Sequence, residues 1–142
     1  HFIDNGIRNQ LVHNFSPHLD TRADKGKLFE NWVFSELVKA VPLQGGIRTW
    51  RSKGGAEVDF VVELGPSLLG IEVKAGPLKR QTISRSMRSF IDAYKPEQFV
   101  IVNMETTMET QIGDTLLSFM RPFDFAGWVD DSIRSFAQHT HE

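Results

Sequence analysis

Glu57-Val58-Asp59-Phe60-Val61-Val62-Glu63-Leu64-Gly65-Pro66-Ser67-Leu68-Leu69-Gly70-Ile71-Glu72-Val73-Lys74 is the stretch from which the rest of the fold follows. Glu57 to Leu64 alternates, with Val58, Phe60, Val62 and Leu64 on one face and Glu57, Asp59, Val61 and Glu63 on the other, as a strand of period two requires. Gly65-Pro66-Ser67 supplies a turn. Leu68 to Ala75 alternates again, with Ile71 and Val73 opposed to Gly70, Glu72 and Lys74. If the apolar residues of both strands share one face, paired positions must have odd sums. A turn at Gly65-Pro66 sets Asp59 opposite Glu72 and Glu57 opposite Lys74. A turn centred on Pro66-Ser67 sets Asp59 opposite Lys74. Either way the charged groups crowd a patch two strands wide, at a spacing of ~5 Å.

Working outward, Ile47 to Ser52 reads as a preceding strand, turned by Lys53-Gly54-Gly55. Before it lies a helix: Thr21-Arg22-Ala23-Asp24 fits a capping box, with Asp24 as a second cap candidate. Phe29, Val33, Leu37 and Val41 recur every fourth residue, with Trp32, Phe34 and Val38 widening the stripe. Pro42 and Gly45-Gly46 end it. Phe2 to Arg8 reads as a short extended entry containing the turn-like Asp4-Asn5-Gly6, and Gln10 to Thr21 as irregular. Downstream, Thr82 to Tyr94 carries Ile83, Met87, Phe90, Ile91 and Tyr94 on a helical stripe stopped by Pro96. Gln98 to Asn103 is a buried-looking strand. A helical turn near Thr110, a strand from Leu116 to Met120 stopped by Pro122, and a weakly helical or disordered tail over 126–142 complete the reading.

Short turns make the first three strands an antiparallel meander, and the helix after them is long enough to cross over and bring the last strand in parallel. The expected fold is α/β, a mixed central sheet in αβββαβ order flanked by helices. One domain over 1–125, with its core at 24–103, accommodates it.

At 142 residues, with 40% hydrophobic and 24% charged content, the chain has the balance of a soluble domain. No apolar run is long enough to cross a bilayer, so no membrane partner is expected. The absence of cysteine removes disulfides, thiolate zinc sites and thiol nucleophiles, and agrees with a cytoplasmic address. The chain opens on His1 inside an apolar-alternating segment, which points to a piece of a longer protein. Charge is uneven: eight basic against four acidic residues between Arg48 and Arg88, a local +4 in a chain of net −2. Clustered positive charge favours an anionic partner, although a solvated basic face has the same composition.

Two carboxylates as close as Asp59 and Glu72 repel unless one is protonated or a cation sits between them. Oxygen donors without cysteine or spaced histidines favour Mg²⁺ or Mn²⁺ over zinc. Glu30, at the edge of the helix stripe, is a third candidate ligand, since a carboxylate there needs a partner. The Lys74 ammonium is placed to orient water or stabilise charge on a phosphate, and Glu57 lies one step further out. Wet-face ion pairs are the competing reading of the same charges. Arg51, Lys53, Lys79, Arg80, Arg85 and Arg88 are the candidate backbone-tracking cations, Lys79 and Arg80 standing just ahead of a helix N-terminus, which welcomes anions.

Asp59 followed by Glu72-Val73-Lys74, in that element order, resembles the PD-(D/E)xK nuclease superfamily of restriction-endonuclease-like folds. Four longer stretches are Asp4-Asn5-Gly6, Gly26-Lys27-Leu28-Phe29-Glu30-Asn31, Trp50-Arg51-Ser52-Lys53 and Glu57-Val58-Asp59-Phe60. Together these resemble the carboxy-terminal domain of unknown function behind the ATPase module of a prokaryotic AAA-type ATPase family, from about Phe2 to Pro122. The resemblance implies a nuclease-like module whose metal and catalytic positions fall on Glu30, Asp59, Glu72 and Lys74, with Val58 where the superfamily's proline stands. It also implies an ATPase module of the same chain, with ATP bound there, since no phosphate-binding glycine-lysine loop occurs here. Three functions stay open at this level: Mg²⁺-dependent cleavage of DNA or RNA, a catalytically silent module binding nucleic acid or protein, and a structural domain that oligomerises the ATPase.

Overall fold

The computed structural model describes residues 24–42, 45–78 and 83–139. Its elements are α1 (Lys25–Ala40), β1 (Gly46–Arg51), β2 (Glu57–Leu64), β3 (Ser67–Lys74), α2 (Arg85–Tyr94), β4 (Gln98–Asn103), β5 (Met108–Ile112), β6 (Thr115–Met120) and α3 (Pro122–His139). They build a six-stranded mixed sheet in the order β1-β2-β3-β4-β6-β5. β1, β2 and β3 form the antiparallel meander, β4 joins β3 in parallel after α2, and β6 runs parallel to β4. The expected entry strand over Phe2 to Arg8 and most of the capping box lie outside the described residues. No described helix is long and apolar enough to cross a membrane.

Local chemistry sets the boundaries. Asp24 precedes α1 but makes no side-chain cap bond. The Ser84 hydroxyl accepts the Met87 N–H at 3.1 Å, so α2 starts at Arg85 rather than Thr82. Lys95, left-handed at φ 46°, closes the same helix by donating its N–H to the Ile91 carbonyl. Leu64 pairs with Ser67, so Gly65 (φ 59°) and Pro66 form the two-residue turn and the first of the two expected registers holds.

Both sheet faces are covered. α1 and α3 lie over one, where Val33, Leu37, Phe60, Val62, Leu69, Ile71, Phe125, Val129 and Ile133 make a core. α2 lies over the other, with Met87, Phe90, Phe99, Ile101, Leu117 and Phe119. This bears out the expected mixed sheet flanked by helices. Of the two readings of the C-terminal tail, weakly helical or disordered, residues 126–139 take the helical one, continuing a helix begun at Pro122, because Phe125, Val129 and Ile133 form an apolar stripe buried against the sheet. The segment around Thr110 is strand β5, paired with β6 across Gly113-Asp114, with Gly113 at φ 57°.

Candidate active site

Site geometry begins with an irregularity in β2. Arg48 pairs with Val61 but Trp50 pairs with Val58, so Thr49 alone faces both Asp59 and Phe60. The extra residue is a β-bulge, which breaks the alternation and re-aims side chains. Val58 accordingly enters the core under α2, while Phe60 enters the core under α1 and α3. Val58 and Phe60 were expected to share a face; the bulge between them is why they do not.

The bulge places Asp59 in a cleft of about 220 Å³, lined also by Lys27, Glu30, Thr49, Trp50, Arg51, Glu57 and Val58. Asp59 Oδ2 accepts the Val73 N–H at 2.8 Å, beyond the last paired residues Phe60 and Ile71. The carboxylate thus serves a β3 amide where the ladder has ended. Burial pushes the Asp59 carboxyl up from 3.8 to about 6; the Val73 bond opposes the rise, Glu30 and Glu72 add to it, and Lys74 lowers it.

Glu72 lies on β3 with its side chain only 9% exposed. Its Oε1 is 2.6 Å from Lys74 Nζ, and its buried Oε2 has no hydrogen-bond partner among the described residues. A buried carboxylate oxygen left this way is costly. Glu72 and Lys74 act electrostatically on the Asp59 carboxyl, but neither lines its cleft, and the bulge removes Asp59 from the alternation that was expected to set it opposite Glu72. Glu30 joins from the first turns of α1, held by Lys27 at 3.4 Å. Yet among the described residues no three His, Cys, Asp or Glu side chains are gathered closely enough to hold a metal ion, so Glu30, Asp59 and Glu72 are not three direct ligands here. Mg²⁺ tolerates this, because it keeps several waters and takes one or two carboxylates plus substrate phosphates. The Glu72 Oε2 oxygen and the desolvated Asp59 carboxyl are hard oxygen donors of the type such a cation takes.

The remaining candidates are dispersed. Glu57 lines the cleft with its carboxylate on Arg51 at 2.9 Å, and its N–H donates to the Ser86 hydroxyl at 3.3 Å, tying α2 to the start of β2. Lys53, Arg85 and Arg88 are exposed. Lys79 and Arg80 lie outside the described residues. Sequence reasoning missed Lys27, Thr49 and Trp50 as cleft residues. The Trp50 indole N–H bonds the Tyr94 hydroxyl at 3.1 Å, and its ring meets Phe90 edge-on at 5.3 Å, fixing one wall.

Residues 25–121 match the family described as Domain of unknown function (DUF4143). The chain belongs to the DUF4143 family. Among curated proteins none matches this DUF4143 chain in sequence. Among solved structures it is similar to a chain in the half-complex from the tetradecameric assembly of Thermococcus gammatolerans McrB AAA+ hexamers with bound McrC. The TM-score is 0.51 and the identity 17%, over 81% of this chain and 33% of that one. At that identity the likeness is one of fold, and the DUF4143 chain spans about a third of its neighbour's length.

Proposed function

We propose that this domain is a nuclease-like module serving an AAA-type ATPase, and that it hydrolyses phosphodiester bonds in DNA or RNA with Mg²⁺ or Mn²⁺. The observation that carries the reading is Glu72: a buried carboxylate with one oxygen on Lys74 and the other without a hydrogen-bond partner among the described residues, on the strand beside a desolvated Asp59. Asp59 and Glu72 would hold the cation, with Glu30 reaching it directly or through water. When bound, the metal supplies Lewis-acid polarisation of a phosphoryl oxygen. Lys74, anchored by Glu72, positions its ammonium to orient the attacking water and offset charge building on the phosphate. The fold-level likeness to a chain from an assembly of AAA+ hexamers supports the ATPase partner and an oligomeric setting.

A second reading has its own support: the Lys74–Glu72 pair at 2.6 Å satisfies half of the glutamate without metal. On that reading the domain binds nucleic acid or protein for the ATPase and cuts nothing. Incubating plasmid, single-stranded DNA and RNA with the chain in Mg²⁺ or Mn²⁺, against Asp59→Ala, separates the two. Hydrolysis lost in the variant supports the enzyme. Metal-independent, salt-sensitive binding equal in both proteins, with no cleavage, supports the silent module.

A further inference from the structure

The cleft beside Asp59 shares a wall with an aromatic group that the hydrolytic chemistry does not use. Trp50 lines the cleft and pairs across the β1–β2 ladder with Val58, the residue before Asp59. Its indole N–H donates to the Tyr94 hydroxyl at 3.1 Å, and the two rings lie 5.9 Å apart at 85°. Buried Phe90 anchors both, edge-on to Trp50 at 5.3 Å and 5.1 Å from Tyr94. Tyr94 is nonetheless 52% exposed at the end of α2, and Trp50 is only half-buried. Burial does not fix the Tyr94 ring in place; the Trp50 hydrogen bond and the Phe90 contact do.

The charges nearby are basic and unpaired. Lys53 in the β1–β2 turn, Arg85 and Arg88 on α2, and Lys95 beside Tyr94 are exposed, and none is in an ion pair among the described residues. From Arg85 to Lys95 the sole acid is Asp92. Exposed rings among cations are what a single strand requires, since cations follow its backbone while its bases stack. Two rings at 85° form a corner, which suits a flat base laid against one of them better than a broad apolar protein face. We propose that Trp50 and Tyr94 form a stacking platform for a base of single-stranded DNA or RNA, its backbone passing the cleft at Asp59. Neighbouring strands are ~4.8 Å apart, which brings a nucleotide on Trp50 alongside Asp59. Duplex bases already stack on one another and offer no free face, so the platform selects single strands. Rings held in place before the ligand arrives lose little freedom on binding. The inference rests on the nucleic-acid ligand proposed above and needs no metal.

The test uses the full chain in EDTA, so that nothing is cut. Its probes are a labelled oligothymidylate of about 12 nucleotides, an abasic strand of the same length and a matched duplex, all read by anisotropy. The wild type should bind the base-bearing strand at least about fivefold more tightly than the abasic one. Tyr94→Ala should remove most of that margin while changing abasic and duplex binding by less than about twofold. Tyr94→Phe, which keeps the ring, should retain most of it. A merely structural Tyr94 would weaken all three ligands alike, and that result overturns the platform. Tryptophan emission adds a readout that does not depend on Tyr94 variants folding. Oligothymidylate should quench the wild type to saturation, the abasic strand should not, and Trp50→Phe should abolish the quenching; quenching unchanged in Trp50→Phe overturns the platform. Equal wild-type affinity for base-bearing and abasic strands removes the platform and leaves a nucleic-acid ligand standing. A wild type that binds no strand removes both, leaving a protein as the occupant of the aromatic corner.

Discussion

Asp59 ties stability to pH through a carboxyl that burial drives from 3.8 to about 6. A folded-state value raised above the unfolded one means the native chain holds that proton more tightly. Its contribution is fully present below about 3.8 and is lost as pH rises through about 6. Above that range the ionised carboxylate costs about 3 kcal/mol. Asp59→Asn keeps an acceptor for the Val73 N–H and removes the charge. In metal-free buffer its urea midpoint should therefore exceed the wild type's at pH 8, the advantage fading by pH 4; a pH-independent difference would contradict the desolvation argument. Metal should close the gap: at a hundredfold excess over Kd, Mn²⁺ stabilises the wild type by about 2.7 kcal/mol and leaves Asp59→Asn nearly unmoved. The closeness of Glu72 to Lys74 was legible in the sequence, because charges inside apolar strands stand out and positions two apart share a face. Lys27 and Thr49 were not, since their part in the cleft depends on where α1 docks and where β2 bulges.

The bulge shows what alternation hides at the level of an element. Period two read from Glu57 to Leu64 put Val58 with Phe60, but the extra residue opposite Thr49 sends them to opposite cores. Nothing in the residue types marks that position. The β5–β6 hairpin was different: Gly113-Asp114 between Met108–Ile112 and Thr115–Met120 is a two-residue turn signal, overlooked because β5 is an exposed edge with a polar middle. β3 carries a sharper constraint. A Cβ on Gly70 would sit 2.5 Å from Phe99 Cδ2 and 3.1 Å from Phe90 Cε1, in the core that seats α2. Gly70→Ala should lower the free energy of unfolding by about 1–3 kcal/mol, measured by chemical denaturation. Combining it with Phe99→Leu should recover part of the loss, because the overlap is with that ring; no recovery would place the strain elsewhere.

At the level of the whole molecule, the family match ends at residue 121, yet the core over Phe60 and Ile71 is closed by a helix that starts at Pro122. α3 also reaches the site indirectly. The Phe125 ring lies 6.1 Å from that of Trp32 on α1, the helix that carries Lys27 and Glu30 to the cleft. Two aromatics on one turn of α3 separate packing from mere proximity: Phe125 is fully buried and Phe123 is 90% exposed. Phe125→Ala should cost about 3–5 kcal/mol, a large share of the 5–15 kcal/mol typical of a domain. Phe123→Ser should stay within about 0.5 kcal/mol. If α3 seats α1 over the sheet, Phe125→Ala should also weaken metal binding at temperatures where the chain is still folded, whereas Phe123→Ser should not. Equal metal affinity in both variants, with only Phe125→Ala destabilised, would mean that α1 holds the cleft without help from the C-terminal helix.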